Sequence, residues 1–156
     1  MKSLLFLSFL FLVNCSQNSI ETRNSLIDEL NLNKFNKKIY TTSYFSIYSL
    51  EKIKNDEKLI IYIEGDGMSW VDRFTISSDP TPNNPTAFRL ALIDSNDNVI
   101  YLARPCQFEW SNNCNKDTWT LSQYSESVLS GYKLIIEELS EKYEEIHLVG
   151  YSGGAG

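Results

Sequence analysis

The sequence predicts an α/β domain built on a mainly parallel sheet with flanking helices. Three observations carry this. Leu59–Ile63, Val99–Leu102 and Ile146–Val149 are short, unbroken apolar runs, as expected of parallel strands buried on both faces. Helical patterns stand between these runs, and strand–helix alternation is the signature of a parallel sheet. Composition permits a packed core: 42% of the 156 residues are hydrophobic and 22% charged, which excludes collagen-like and wholly disordered chains.

The chain starts with a targeting segment. Met1-Lys2-Ser3 is short and basic, and Leu4–Val13 is apolar apart from Ser8. A membrane span needs about 20 apolar residues; this shorter run has the length of the h-region of a secretory signal. Leu12-Val13-Asn14-Cys15 resembles a bacterial lipoprotein signal, in which the Cys is lipidated and becomes the mature N-terminus. Asn14 stands where that pattern has a small residue. The expectation is a signal over residues 1–14, lipidation at Cys15, and an exported chain in the bacterial cell envelope, periplasmic or held at the membrane by its lipid.

Residues 15–38 are polar and Asn-rich, and read as a tether or as one amphipathic helix carrying Ile20, Leu26, Ile27 and Leu30. Residues 39–156 form the domain. Ile39–Leu50, rich in Tyr, Thr, Phe and Ile, reads as one strand or two. Asn55–Lys58 is a turn. The strand Leu59–Ile63 ends at Glu64-Gly65-Asp66-Gly67, a loop whose glycines can bring backbone close to a ligand. Met68–Phe74 is a short helix or loop, and Asp79–Pro85 a turn-rich connection. A helix starts at Pro85 or Thr86 and carries Phe88, Leu90, Ala91 and Leu92. The strand Val99–Leu102 is broken by Ala103-Arg104-Pro105. From about Ser122 to Tyr143 runs the clearest helix, with Val128, Leu129, Tyr132, Ile135, Ile136 and Leu139 at helical spacing and Glu137, Glu138, Glu141 and Lys142 on the other side.

A net charge of −6 argues against a nucleic-acid binder, because no basic patch offsets it: the densest basic stretch is Lys34, Lys37, Lys38. Beyond Cys15, the cysteines are an even pair, Cys106 and Cys114. In an exported chain they read as a disulfide, worth about 2–3 kcal/mol by loop closure; the alternative is two free thiols. No metal is expected, since only His147 could join those thiols. No nucleotide cofactor is expected either: Gly65-Asp66-Gly67 lacks the third glycine of a dinucleotide loop, and no Walker pattern occurs.

The chemistry points to Ser152. Gly150-Tyr151-Ser152-Gly153-Gly154 follows an apolar strand directly, which is the nucleophile-elbow pattern. The serine of such an elbow sits on a sharp turn crowded by neighbouring backbone, so small residues are needed on both sides. The turn lifts the hydroxyl to the C-terminal edge of the sheet and aims the Gly153 N–H at the site of a developing oxyanion. A second donor is expected from the loop after Leu59–Ile63, as the N–H of Asp66 or Gly67. The alternative is a glycine-rich tail after a strand.

Four stretches in order then resemble a group of bacterial α/β-hydrolases, serine hydrolases with no settled substrate. They are Ile63-Glu64-Gly65-Asp66-Gly67 with Trp70, Asp79-Pro80-Thr81-Pro82 with Asn84-Pro85, Ala103-Arg104-Pro105-Cys106-Gln107, and Gly150–Gly154. The resemblance covers the chain from about Leu59 onward. It implies Ser152 as nucleophile, Gly153 with Asp66 or Gly67 as oxyanion donors, Cys114 as the partner of Cys106, and a small-molecule acyl substrate. In that family the acid and the histidine follow the serine, and here only Gly153, Gly154, Ala155 and Gly156 do. The one histidine, His147, lies in the preceding strand and reads as structural. The expectation is therefore an incomplete α/β-hydrolase-like fold, cut just after the elbow, from an exported acyl-ester hydrolase inactive on its own. Two other readings stand beside it. One is a non-catalytic envelope lipoprotein that binds through its Tyr- and Trp-rich surface. The other is complementation by a separate C-terminal chain carrying the acid and the histidine.

Overall fold

The computed structural model describes residues 18–156; the expected signal over residues 1–14 and the lipidation site Cys15 lie outside the described residues. The elements are α1 (Asn18–Asn31), β1 (Asn36–Thr41), β2 (Ser46–Lys52), β3 (Lys58–Ile63), α2 (Thr86–Ile93), β4 (Val99–Leu102), α3 (Glu126–Ser140) and β5 (Glu145–Gly150). Short 3-10 turns cover Lys116–Trp119 and Ser152–Ala155. Met68–Phe74 forms no helix; an isolated bridge joins Trp70 to Ile76.

The five strands lie in the order β1-β2-β4-β3-β5. This corrects the expected mainly parallel, α/β-hydrolase-like sheet: the sheet is mixed. β1 with β2 and β2 with β4 are antiparallel, and only β4 with β3 and β3 with β5 are parallel. The cause lies in Ile39–Leu50, which is two strands folded back at Thr42. The Thr42 hydroxyl accepts from the N–H groups of Tyr44 and Phe45, at 3.1 and 3.0 Å, and donates to the Phe45 carbonyl. A side-chain hydroxyl thus closes the turn that glycine or proline commonly closes. β2 emerges reversed, and its far edge pairs antiparallel with β4.

Both faces are covered over β3 and β4, which explains the apolar runs Leu59–Ile63 and Val99–Leu102. The run Ile146–Val149, expected to be buried as well, is instead largely exposed, with Leu148 53% exposed, because β5 lies at the edge of the sheet. Alternate strand residues feed two cores. Leu59, Ile61, Ile100 and Leu102 pack under α3 through Val128, Tyr132, Ile135 and Leu139. Val99 and Tyr101 pack with Tyr48 and Leu50 against Ala87, Phe88 and Ala91 of α2 and Ile27 of α1. Ile27 and Phe35 are both buried, so α1 and the segment after it belong to the packed body.

Buried polar side chains tie the connections to this frame. Asn98 accepts the N–H groups of Lys54 and Asn55 and donates to the Lys58 carbonyl, fixing the β2–β3 turn to the start of β4. Arg23 of α1 donates to the Thr81 carbonyl at 2.7 Å and pairs with Asp79 at 3.2 Å, clamping the proline-rich loop. The disulfide Cys106–Cys114 is formed, with its Cα atoms 5.7 Å apart. Among the described residues no helix is long and apolar enough to cross a membrane.

Candidate active site

β5 runs along β3 in parallel register, from Lys58 opposite Glu145 to Ile63 opposite Gly150. Both strands therefore end at the same sheet edge, and the loops that follow them meet there. After β5 the chain turns sharply at Ser152, whose φ is +50°. That left-handed conformation is uncommon for a residue with a side chain. It persists because the flanking backbone is boxed in. A Cβ on Gly154 would lie 2.5 Å from the carbonyl oxygens of Ile63 and Glu64, so only glycine lets the turn press onto the end of β3. The Gly154 N–H closes the turn on the Tyr151 carbonyl at 2.8 Å.

The structure brings Asp66 against Gly153, next to Ser152, whereas Gly67 lines the same cleft but packs on Pro80, Pro82 and Gln107. A Cβ on Gly153 would fall 1.8 Å from Asp66 Oδ1, so the Asp66 carboxyl fills the space that a side chain at 153 would take. Gly65 is also near, though less tightly: a Cβ there would stand 3.2 Å from the Ser152 Cβ. Among the described residues the N–H groups of Asp66, Gly67 and Gly153 make no hydrogen bond. Ser152 is exposed and opens onto a cleft of about 790 Å³. Trp70, Trp119 and Tyr151 contribute aromatic surface to this cleft, and Asn83, Asn84 and Gln123 contribute amides. Among the described residues its lining includes the carboxyls of Glu64 and Asp66 and no Lys or Arg.

Glu64 is 1% exposed at the end of β3. Its Oε1 accepts the Gly65 N–H at 2.9 Å and the Ala87 N–H, in the first turn of α2, at 3.3 Å. Burial pushes its carboxyl above the usual carboxylate range, and the backbone donors of Gly65 and Ala87 oppose that shift. Glu64 thus works as a brace between the loop and α2.

His147 is not at the site. It lies on β5 five residues before Ser152, about 16 Å back at strand rise, and its Nε2 contacts Glu145 Oε1 on the exposed side of the sheet. Among the described residues no cluster of three metal-ligating side chains occurs.

Two residues that sequence reasoning quoted without assigning a role converge on the site from the turn after β4. Arg104 is 8% exposed; one guanidinium nitrogen donates to the Gly153 carbonyl and another to the Gln123 carbonyl at 2.6 Å, while the plane lies 5.3 Å from the Tyr124 ring. Gln107, 1% exposed, donates from Nε2 to the Gly65 carbonyl at 2.9 Å. Their only signal in the sequence is the run Ala103–Gln107. No protein-family model, curated protein or solved structure matches the chain.

Proposed function

We propose that Ser152 is the nucleophile of an exported serine hydrolase that attacks small acyl esters, with the N–H groups of Gly153 and of Asp66 or Gly67 receiving the oxyanion. The observation that carries this reading is the geometry of the turn. A serine is held at φ +50° at the end of a strand, exposed to a cleft, beside backbone N–H groups that have no other partner. Donors that the fold holds in place cost nothing to reorganise as charge develops, and in acyl-transfer enzymes each is worth about 10²–10³ in rate. The Glu64 and Asp66 carboxyls in the lining favour an uncharged ester over an anionic one. The disulfide is compatible with export to an oxidising compartment.

In acyl transfer the Ser152 Oγ–H gives its proton to a base as Oγ bonds the carbonyl carbon. The carbonyl oxygen becomes the oxyanion, and collapse expels the alcohol and leaves an acyl-serine for water to cleave. A serine hydroxyl is a weak nucleophile without an adjacent base, and the one imidazole of the sequence faces away. The isolated chain is therefore expected to resist a fluorophosphonate probe, and to be labelled at Ser152 when imidazole is supplied in the buffer, which the open cleft admits. Loss of that labelling in Ser152→Ala supports the reading. Labelling that is absent with imidazole, or unchanged in Ser152→Ala, overturns it.

A further inference from the structure

We infer that Gln107 is the residue that aims the second oxyanion donor, the Asp66 N–H; this rests on the reading of Ser152 as an acyl-accepting nucleophile. The argument starts from a peptide plane. The Gly65 carbonyl and the Asp66 N–H belong to one peptide unit, and among the described residues no peptide bond is cis, so the two point in opposite directions. Whatever fixes the carbonyl fixes the aim of the N–H. Gln107 Nε2 holds that carbonyl at 2.9 Å, buried. The amide cannot be turned over, because its Oε1 accepts the backbone N–H of Arg104 at 3.1 Å and a backbone N–H requires an acceptor.

The support for Gln107 is unusually rigid. Its two neighbours, Cys106 and Phe108, both have positive φ, +70° and +59°. Cys106 is tied to Cys114, and the Phe108 N–H is tied to the Thr81 hydroxyl at 3.0 Å. Such conformations persist only where the surroundings over-determine them, and they concentrate where position matters for function. Three residues earlier, Arg104 holds the Gly153 carbonyl, on the other side of the nucleophile turn. One short loop thus grips backbone on both sides of Ser152. Gln107 touches no reacting atom in this scheme, and is a positioning residue.

The test separates oxyanion stabilisation from integrity of the site. The full chain carrying Ser152→Cys has a nucleophile that ionises without a neighbouring base. Its acylation by p-nitrophenyl acetate develops an oxyanion; its alkylation by iodoacetamide does not. Both rates are read by mass spectrometry on the peptide holding position 152, at pH 8. Adding Gln107→Met, close in volume but without a donor, is expected to slow acylation by about 10-fold or more, in line with loss of an oxyanion donor, and to leave alkylation within twofold. Gln107→Glu, which keeps an acceptor for the Arg104 N–H, is expected to do the same. Unchanged acylation overturns the inference. An equal fall in both rates also overturns it, and leaves Gln107 a packing role. Acylation of Ser152→Cys no faster than that of N-acetylcysteine amide is a different failure, that of the proposed function itself.

Discussion

Arg104, two residues past the end of β4, donates to the main-chain carbonyl of Gly153, 49 residues later in the sequence. The contact ties the Ser152 turn to the middle of the sheet. The same guanidinium serves the Gln123 carbonyl, so its planar fork joins two segments distant in sequence. Arg104→Met is expected to lower unfolding free energy by about 2–3 kcal/mol, the scale of a buried hydrogen bond to a charged group, measured by urea denaturation. Arg104→Lys is expected to recover only part of this, because an ammonium lacks the fork. A Lys variant as stable as the parent would show that the fork geometry is not used.

The buried carboxyl of Glu64 makes stability depend on pH, and the sign follows from its raised pKa. Between the ordinary carboxylate value and the raised one, the folded chain holds a proton that the unfolded chain has released. Stability contributed by this group is therefore full at low pH and is lost as pH rises through that window. Glu64→Gln removes the charge and keeps a carbonyl oxygen for the N–H groups of Gly65 and Ala87. The variant is expected to lose less stability than the parent from about pH 4.5 upward, read as the difference in Tm across a pH series. Parallel Tm profiles for the two proteins would remove Glu64 as the cause.

The tight fit of Asp66 against Gly153 gives a coupling prediction. A methyl at 153 has no room beside the Asp66 carboxyl, so Gly153→Ala must displace it. Overpacking of this kind costs about 1–3 kcal/mol. In the background Asp66→Gly that carboxyl is gone, and the same substitution is expected to cost measurably less. A double-mutant cycle in urea reads the difference, and a coupling of at least about 0.5 kcal/mol is expected for groups in direct contact. Additive effects would mean that the two residues do not share the space.

What the sequence made legible follows a physical rule. Runs buried on both faces, such as Val99–Leu102, announce themselves by composition. So does the sharp turn at Ser152, because Gly154 is forced by backbone contact and leaves a pattern around the serine. Strand direction was not legible. The turn at Thr42 is closed by a hydroxyl in a stretch without glycine or proline, and the antiparallel pairing of β2 with β4 is decided by tertiary packing. The roles of Arg104 and Gln107 were hidden for a related reason. Both bind main-chain carbonyls, Gly153 49 residues away and Gly65 42 residues away, and a carbonyl carries no sequence signature.

The disulfide supplies the last prediction, because its two effects can be separated. Cys106–Cys114 closes a short loop, and cross-linking a loop of this size stabilises by about 2–3 kcal/mol in the chain-entropy model. Cys106 is also 2% exposed and packs in the core beneath α3, a contribution that survives reduction. Reduction with dithiothreitol is therefore expected to lower the urea midpoint without abolishing the cooperative transition. Cys114→Ala, at the less buried end, is expected to match the reduced protein. Cys106→Ser is expected to cost more, since it also places a hydroxyl among apolar neighbours with no partner provided. If the two substitutions cost the same as reduction, the core contact of Cys106 contributes nothing and the bridge acts through loop closure alone.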